Sequence, residues 1–181
     1  MANYKNLRYK FPTANLSGTA EASPAEGDIW YDSGKFYLGT SQSFSGTWSS
    51  GGNLSTARGF LAGAGTQSAG LCMGGTTGSA SNVTEEYNGT VWSAGGNLGT
   101  ARWEIPGAGT QTAGLCMGGW NGSAAQNVTE EYNGTSWSAG GNLSNTLKTL
   151  AGAGTQSAGL SMGGRDTSGS TIFNVTEEYD G

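Results

Sequence analysis

A length of 181 residues leaves room for one ordinary domain and an appendage. The formal net charge is −5 with only eight lysines and arginines, so there is no basic stripe to hold nucleic acid. The lack of any histidine removes the commonest neutral general base and the commonest metal ligand, which argues against an enzyme, a cofactor or a metal. Glycine supplies 34 residues, far above the usual ~7 %, yet the glycines recur at fixed places and so belong to a fold rather than a disordered tract. No apolar run approaches the ~20 residues of a membrane span. The opening residues, MANYKNLRYKF, lack the apolar core of a signal peptide, so no membrane insertion is expected.

Residues 1–45 do not repeat. They begin polar and mildly basic, pass through a small-residue linker at 14–25, and then alternate over 28–32 and 35–38 around Ser33-Gly34, which predicts a hairpin. This front part is read as an attachment segment, distinct from a repeat domain over 46–181. Residues 47–54, TWSSGGNL, read as a fourth strand with no first three strands in front of it.

Three near-copies of a 44–45-residue unit follow. Residues 62–75, 106–119 and 151–164 are almost identical, each leads to Asn-Val-Thr-Glu-Glu-Tyr, and Trp48, Trp92 and Trp137 recur at spacings of 44 and 45. Such a period marks a repeat architecture, in which each unit buries its apolar face against its neighbours. In the second unit, strands are expected over 105–109, 113–117 and 128–132, with a fourth running from Trp137 toward Leu143; Asn133-Gly134 is a strong hairpin signal. Four short antiparallel strands per unit is the size of one propeller blade. The Ala/Gly-rich strands suit a crowded axis, the glycine doublets suit a bend that β-carbons would obstruct, and Tyr132 and Trp137 supply large area between blades. Cys72 and Cys116 occupy one place in successive units, with Ser161 in the third, and are expected as buried free thiols.

The order Arg102, Gly118-Gly119, Glu131-Tyr132-Asn133, Trp137 resembles the Kelch motif. The first unit has Arg58, Gly74-Gly75, Glu86-Tyr87-Asn88 and Trp92. The third has Gly163-Gly164 and Glu178-Tyr179-Asp180, with Lys148 near the arginine position, and no Trp. The resemblance covers about three quarters of the chain and implies an all-β, Kelch-like β-propeller of three four-stranded blades. It implies no copper chemistry of the galactose-oxidase kind, which needs histidine. The front sequence GDIWYDSGKFYLGT is similar to short hairpins of bacteriophage tail and virion proteins, where uniform Kelch-like repeats also occur. That second resemblance implies a virion location, made in the host cytoplasm, and other virion proteins as partners.

Differences between the copies concentrate in two places. The loop after the glycine doublet reads 76–81, 120–126 and 165–173, and the lead-in to the first strand reads 59–61, 103–105 and 146–150. If these share one face, that face has individual chemistry on a constant scaffold. Trp103, Trp120, Asn121, Arg165, Asp166 and Phe173 are the candidate binding residues, with Trp120 beside Asn121 and Arg165 beside Asp166 suited to a cell-surface glycan. The adjacent glutamates Glu85/Glu86, Glu130/Glu131 and Glu177/Glu178 are not acid/base dyads, because neighbouring strand residues point to opposite faces. One of each pair is expected to meet the Arg58/Arg102-type cation and the other to face water. The third unit has no fourth strand, and residues 47–54 have no sheet. Two chains exchanging that strand would close a six-bladed ring, which makes a second copy an expected partner; the alternatives are a degenerate extra blade built from the 28–38 hairpin and residues 47–54, or a naturally longer polypeptide.

Overall fold

The structure is a computed structural model that describes residues 29–32, 35–38 and 46–181. It divides into two units, Met1–Ser49 and Ser50–Gly181. In the first, strands β1 (Ile29–Asp32) and β2 (Lys35–Leu38) pair antiparallel from Ile29↔Leu38 to Asp32↔Lys35, at the place where the alternation predicts a hairpin. The remainder of the proposed attachment segment lies outside the described residues.

In the second unit every regular element is a strand, and among the described residues there is no helix, and so none long and apolar enough to cross a membrane. The first repeat forms β3 (Ala62–Thr66), β4 (Ala69–Met73), β5 (Thr84–Tyr87) and β6 (Trp92–Ala94). The second forms β7 (Gly107–Gly109), β8 (Gly114–Met117), β9 (Thr129–Tyr132) and β10 (Trp137–Ala139), and the third β11 (Ala151–Thr155), β12 (Ala158–Met162) and β13 (Thr176–Tyr179). Each sheet is an antiparallel meander in sequence order, four-, four- and three-stranded, and no strand is hydrogen-bonded from one sheet to another. The all-β expectation therefore holds, with the third sheet one strand short. Residues 46–54 form no strand, and Trp48 is fully exposed; among the described residues no strand pairs with this segment.

The Asn-Gly signal marks a hairpin of a different kind from the two-residue turn it suggests. Tyr132 and Trp137 are directly paired, so the loop is the four residues 133–136. Only Gly134 takes positive φ, at +89°, while Asn133 Oδ1 accepts the backbone N–H groups of Thr135 and Ser136. The asparagine serves as an Asx cap rather than a left-handed corner. Beyond β10 the chain leaves the ladder but stays bonded, with Gly140 N donating to Thr129 O and Leu143 N to Asn127 O.

The small residues of the first strands follow from how the sheets meet. β7 lies against both β3 and β11, and a β-carbon on Gly107 would sit 2.8 Å from Gly63 O. The doublets are bent inward the same way: Gly118 and Gly119 have φ of +53° and +98°, and a β-carbon on Gly118 would meet Leu147 O at 2.8 Å. Two apolar clusters result, one built around Leu71, Met73, Leu98, Ile105 and Tyr132, the other around Leu115, Met117, Leu143, Leu147 and Leu150. The aromatic pairs Tyr87–Trp92 and Tyr132–Trp137 stack tilted, with centroids 5.0 and 4.9 Å apart. The tryptophans are only half-buried, and Trp137 Nε1 donates to Thr84 Oγ1 of the preceding repeat.

Inside this apolar packing sits a repeated polar cluster. Arg102, fully buried, donates through its Nη1 to Gly118 O and Val128 O, and through its Nη2 to Glu130 Oε1 at 2.7 Å and to Cys116 Sγ at 3.5 Å. Arg58, Glu85 and Cys72 reproduce the arrangement. The partner glutamates Glu86 and Glu131, expected to face water, instead accept the hydroxyls of Tyr132 and Tyr179 of the following repeat. In the third repeat the arginine position is held by Leu147 rather than Lys148, because the arginine stands 16 residues before the first glycine of the doublet. Leu147 is buried, Ser161 replaces the cysteine, and Glu177 Oε1 is left without a hydrogen bond.

Arg102→Ala would strand the Glu130 carboxylate in the interior. We expect a loss of about 3–5 kcal/mol in denaturant unfolding; a loss within experimental error would show that the pair is not needed.

Burial raises the thiol pKa of Cys116 from 9.0 to about 11, against the opposing pull of Arg102, with Glu130 adding to the rise. A raised folded pKa favours the protonated thiol, so its stabilisation is intact below pH 9.0 and is lost as pH climbs to about 11. Cys72 shifts in the same direction, for the same leading reason. Thermal stability should therefore fall across this alkaline window, and Cys116→Ser, which copies Ser161, should flatten part of the fall.

Candidate functional site

In every repeat the lead-in and the loop after the glycine doublet are held side by side by a two-way backbone bridge. Gly59 exchanges N–H···O bonds with Thr76, Trp103 with Trp120, and Lys148 with Arg165, at 2.7–3.0 Å. The two variable segments thus share one edge of each sheet, and the bridged side chains change character from repeat to repeat: Gly/Thr, Trp/Trp, Lys/Arg. A constant backbone bridge presents three different chemistries.

The residue after each bridge is the only non-glycine in its repeat with positive φ among the described residues: Phe60 at 50°, Glu104 at 53° and Thr149 at 55°. A left-handed conformation costs such residues roughly 1–2 kcal/mol. Bonds between repeats hold it, with Glu104 N donating to Phe60 O and Thr149 N to Glu104 O, both at 3.0 Å.

The second and third repeats enclose a cleft of about 470 Å³ at this edge, lined by Glu104, Lys148, Thr149, Gly164, Arg165, Gly169 and Ile172. Glu104 Oε2 is buried without a hydrogen bond, 4.0 Å from Lys148 Nζ, which is an ion-pair distance but too long for a hydrogen bond. Lys148 Nζ also lies 4.1 Å from the centroid of the Trp120 ring, a cation–π position. Trp103 meets Trp120 edge-on, with centroids 6.5 Å apart at 71°. Arg165 is exposed, and Nη1 donates to Gly169 O at 3.2 Å. Two cations against one carboxylate leave the cleft positive in a chain that is acidic overall. Among the described residues, no three His, Cys, Asp or Glu side chains gather as a metal site requires.

Of the residues singled out in the sequence, the structure brings Trp103 and Trp120 together and sets Arg165 in the cleft. Asn121 and Asp166 are engaged in their own loops. Asn121 Oδ1 accepts Ser123 N, Ser123 Oγ and Ala124 N. Asp166 accepts Ser168 Oγ and Thr171 N, and the Ser168 bond foremost holds its carboxyl below the usual range. Phe173 packs on the second apolar cluster rather than lining the cleft. Glu104, Lys148 and Thr149 also line the cleft and were not among the candidate binding residues. Aligning the lead-ins on the glycine doublets would have shown Lys148 at the place of Trp103.

No family model and no curated protein matches the sequence.

Lys148→Ala should uncover Trp120. Collisional quenching of tryptophan fluorescence should rise, while stability changes by no more than about 1 kcal/mol. Unchanged quenching would place the ammonium elsewhere in solution.

Proposed function

We propose that this chain is a non-enzymatic structural and binding module of Kelch-like propeller design, carried by a bacteriophage particle and attached through its front hairpin segment to other virion proteins. The observation that carries the reading is the separation of constant from variable. The first two sheets share one polar core design and all three share the same strand framework, while Gly/Thr, Trp/Trp and Lys/Arg stand at the same edge position. A scaffold that repeats its interior and varies one edge is organised for recognition. Sheets that meet through their first strands, with β7 between β3 and β11, support the propeller design. The virion assignment rests on the likeness of the front hairpin to phage tail and virion proteins. Antibody labelling of intact particles from the source that encodes the chain tests it. Label on the particle is expected, and label confined to the lysate would overturn the assignment.

A second reading, a carbohydrate-binding lectin-like module, is favoured by one specific feature. Lys148 and Arg165 line a cleft beside two tryptophans, which suits a saccharide bearing a carboxylate or sulfate rather than a neutral one. On a glycan array the chain should then retain acidic glycans, and Arg165→Ala should remove that binding while the fold persists. Equal retention of neutral glycans, or none at all, would exclude the lectin reading.

A further inference from the structure

The contact between successive repeats is made twice in this chain by equivalent residues. Gln111 Nε2, at the tip of the β7–β8 hairpin, donates to Gly70 O and Tyr87 O at 3.1 and 2.7 Å, and Gln156 Nε2 donates to Gly114 O and Tyr132 O at 3.0 and 2.7 Å. The Tyr132 hydroxyl donates to Glu86, and that of Tyr179 to Glu131. Leu71 lies where a β-carbon on Gly114 would be, and Leu115 does the same at Gly159, each 2.5 Å from that position.

Among the described residues, the outer face of the first repeat and the outer face of the third each show one half of this contact without its counterpart. On the first, Gln67 is exposed and has no partner among the described residues. On the third, Glu178 stands exposed where Glu86 and Glu131 accept a tyrosine, and Leu160 is only half-buried where Leu71 and Leu115 are 1 % and 0 % exposed.

Residues 48–54 add a third matching part, and they follow a front segment, residues 1–45, that contains no copy of the repeat. The downstream end of this segment already sits as its equivalents do. Gly52 N donates to the Tyr87 hydroxyl at 3.3 Å and Ser55 N to Glu85 Oε2 at 2.8 Å, as Gly96 N does to Tyr132 and Gly99 N to Glu130. Among the described residues, no sheet pairs with the upstream end, Trp48 to Ser50, as one does with β6 and β10.

We propose that the first-repeat face of one chain docks on the third-repeat face of a second copy, with residues 48–50 pairing along β13 as its fourth strand. The β9–β10 register, Trp137↔Tyr132 and Ser138↔Glu131, transfers to Trp48 opposite Tyr179 and Ser49 opposite Glu178 of the second copy. The Gln67 amide then reaches the carbonyls of Gly159 and Tyr179. The contact is heterologous, so it propagates from copy to copy unless it closes. It is independent of what the variable edge binds.

The test uses the 181-residue chain. Sedimentation at micromolar concentration should show an assembly of two or more copies. Trp48→Ala and Gln67→Ala alter exposed side chains and should leave the unfolding of the separate chain unchanged, yet each should weaken association by about tenfold or more. Mixing Ser49→Cys chains with Glu178→Cys chains under mild oxidation should give a covalent dimer that neither variant forms alone. A monomer at these concentrations, an association indifferent to both exposed substitutions, or no mixed disulfide would each overturn the proposal.

Discussion

A sheet of three or four short strands has two faces and too little chain to cover either, so everything in the repeat domain depends on the contact between one repeat and the next. The gradient of burial across the three repeats shows it. β4 and β8, each followed by another repeat, are buried over Gly70–Met73 and Gly114–Met117, whereas β12 is buried only at Gly159 and Ser161. The three strands have nearly the same sequence, so neighbours decide the difference. This is the one-dimensional logic of repeat proteins, in which stability is the sum of similar units and similar interfaces.

The contact is polar to an unusual degree for so apolar a task. Buried Arg58 and Arg102 tie a carboxylate, two carbonyls and a thiol together within each sheet, and glutamine amides and tyrosine hydroxyls tie sheet to sheet. Buried ions gain little net energy over apolar substitutes, but an ion pair and directed hydrogen bonds accept few alternative registers. For glycine- and alanine-rich strands that offer little side-chain shape to lock, these groups are what distinguish the right register from its neighbours. The third repeat departs from the design with Leu147, Ser161 and a Glu177 oxygen that has no partner. The change lies inside the repeat rather than at its contact with the second, where Gln156 and Tyr179 keep their bonds.

Constancy in the interior is what frees the edge. The backbone bridge between lead-in and loop forms without regard to side chain, so Gly/Thr, Trp/Trp and Lys/Arg can occupy it in turn. The strained residues Phe60, Glu104 and Thr149 belong to the same edge, held by bonds between repeats. Strain of this kind persists only where surroundings over-determine it, and here a single backbone ladder does so.

Much of this was legible in the residues themselves. The period of 44–45, the alternation within strands, the glycine doublets and the Asn-Gly loops are local signals, and the first three strands of the second repeat lie within a residue or two of their expected places, because hairpin pairing is decided by chain neighbours, whereas the fourth ends at Ala139, short of Leu143. Even the pairing of one glutamate with the arginine followed from their recurrence together. Tertiary structure decided the rest. The destination of the second glutamate, the role of the hairpin-tip glutamines and the assembly of Glu104, Lys148 and Arg165 into one cleft depend on which repeat lies beside which, over separations of 17 to 61 residues. Trp48, in a sequence context close to that of Trp92 and Trp137, stays exposed and outside any strand. A strand is a property of two backbones, and its own residues carry only half of the instruction.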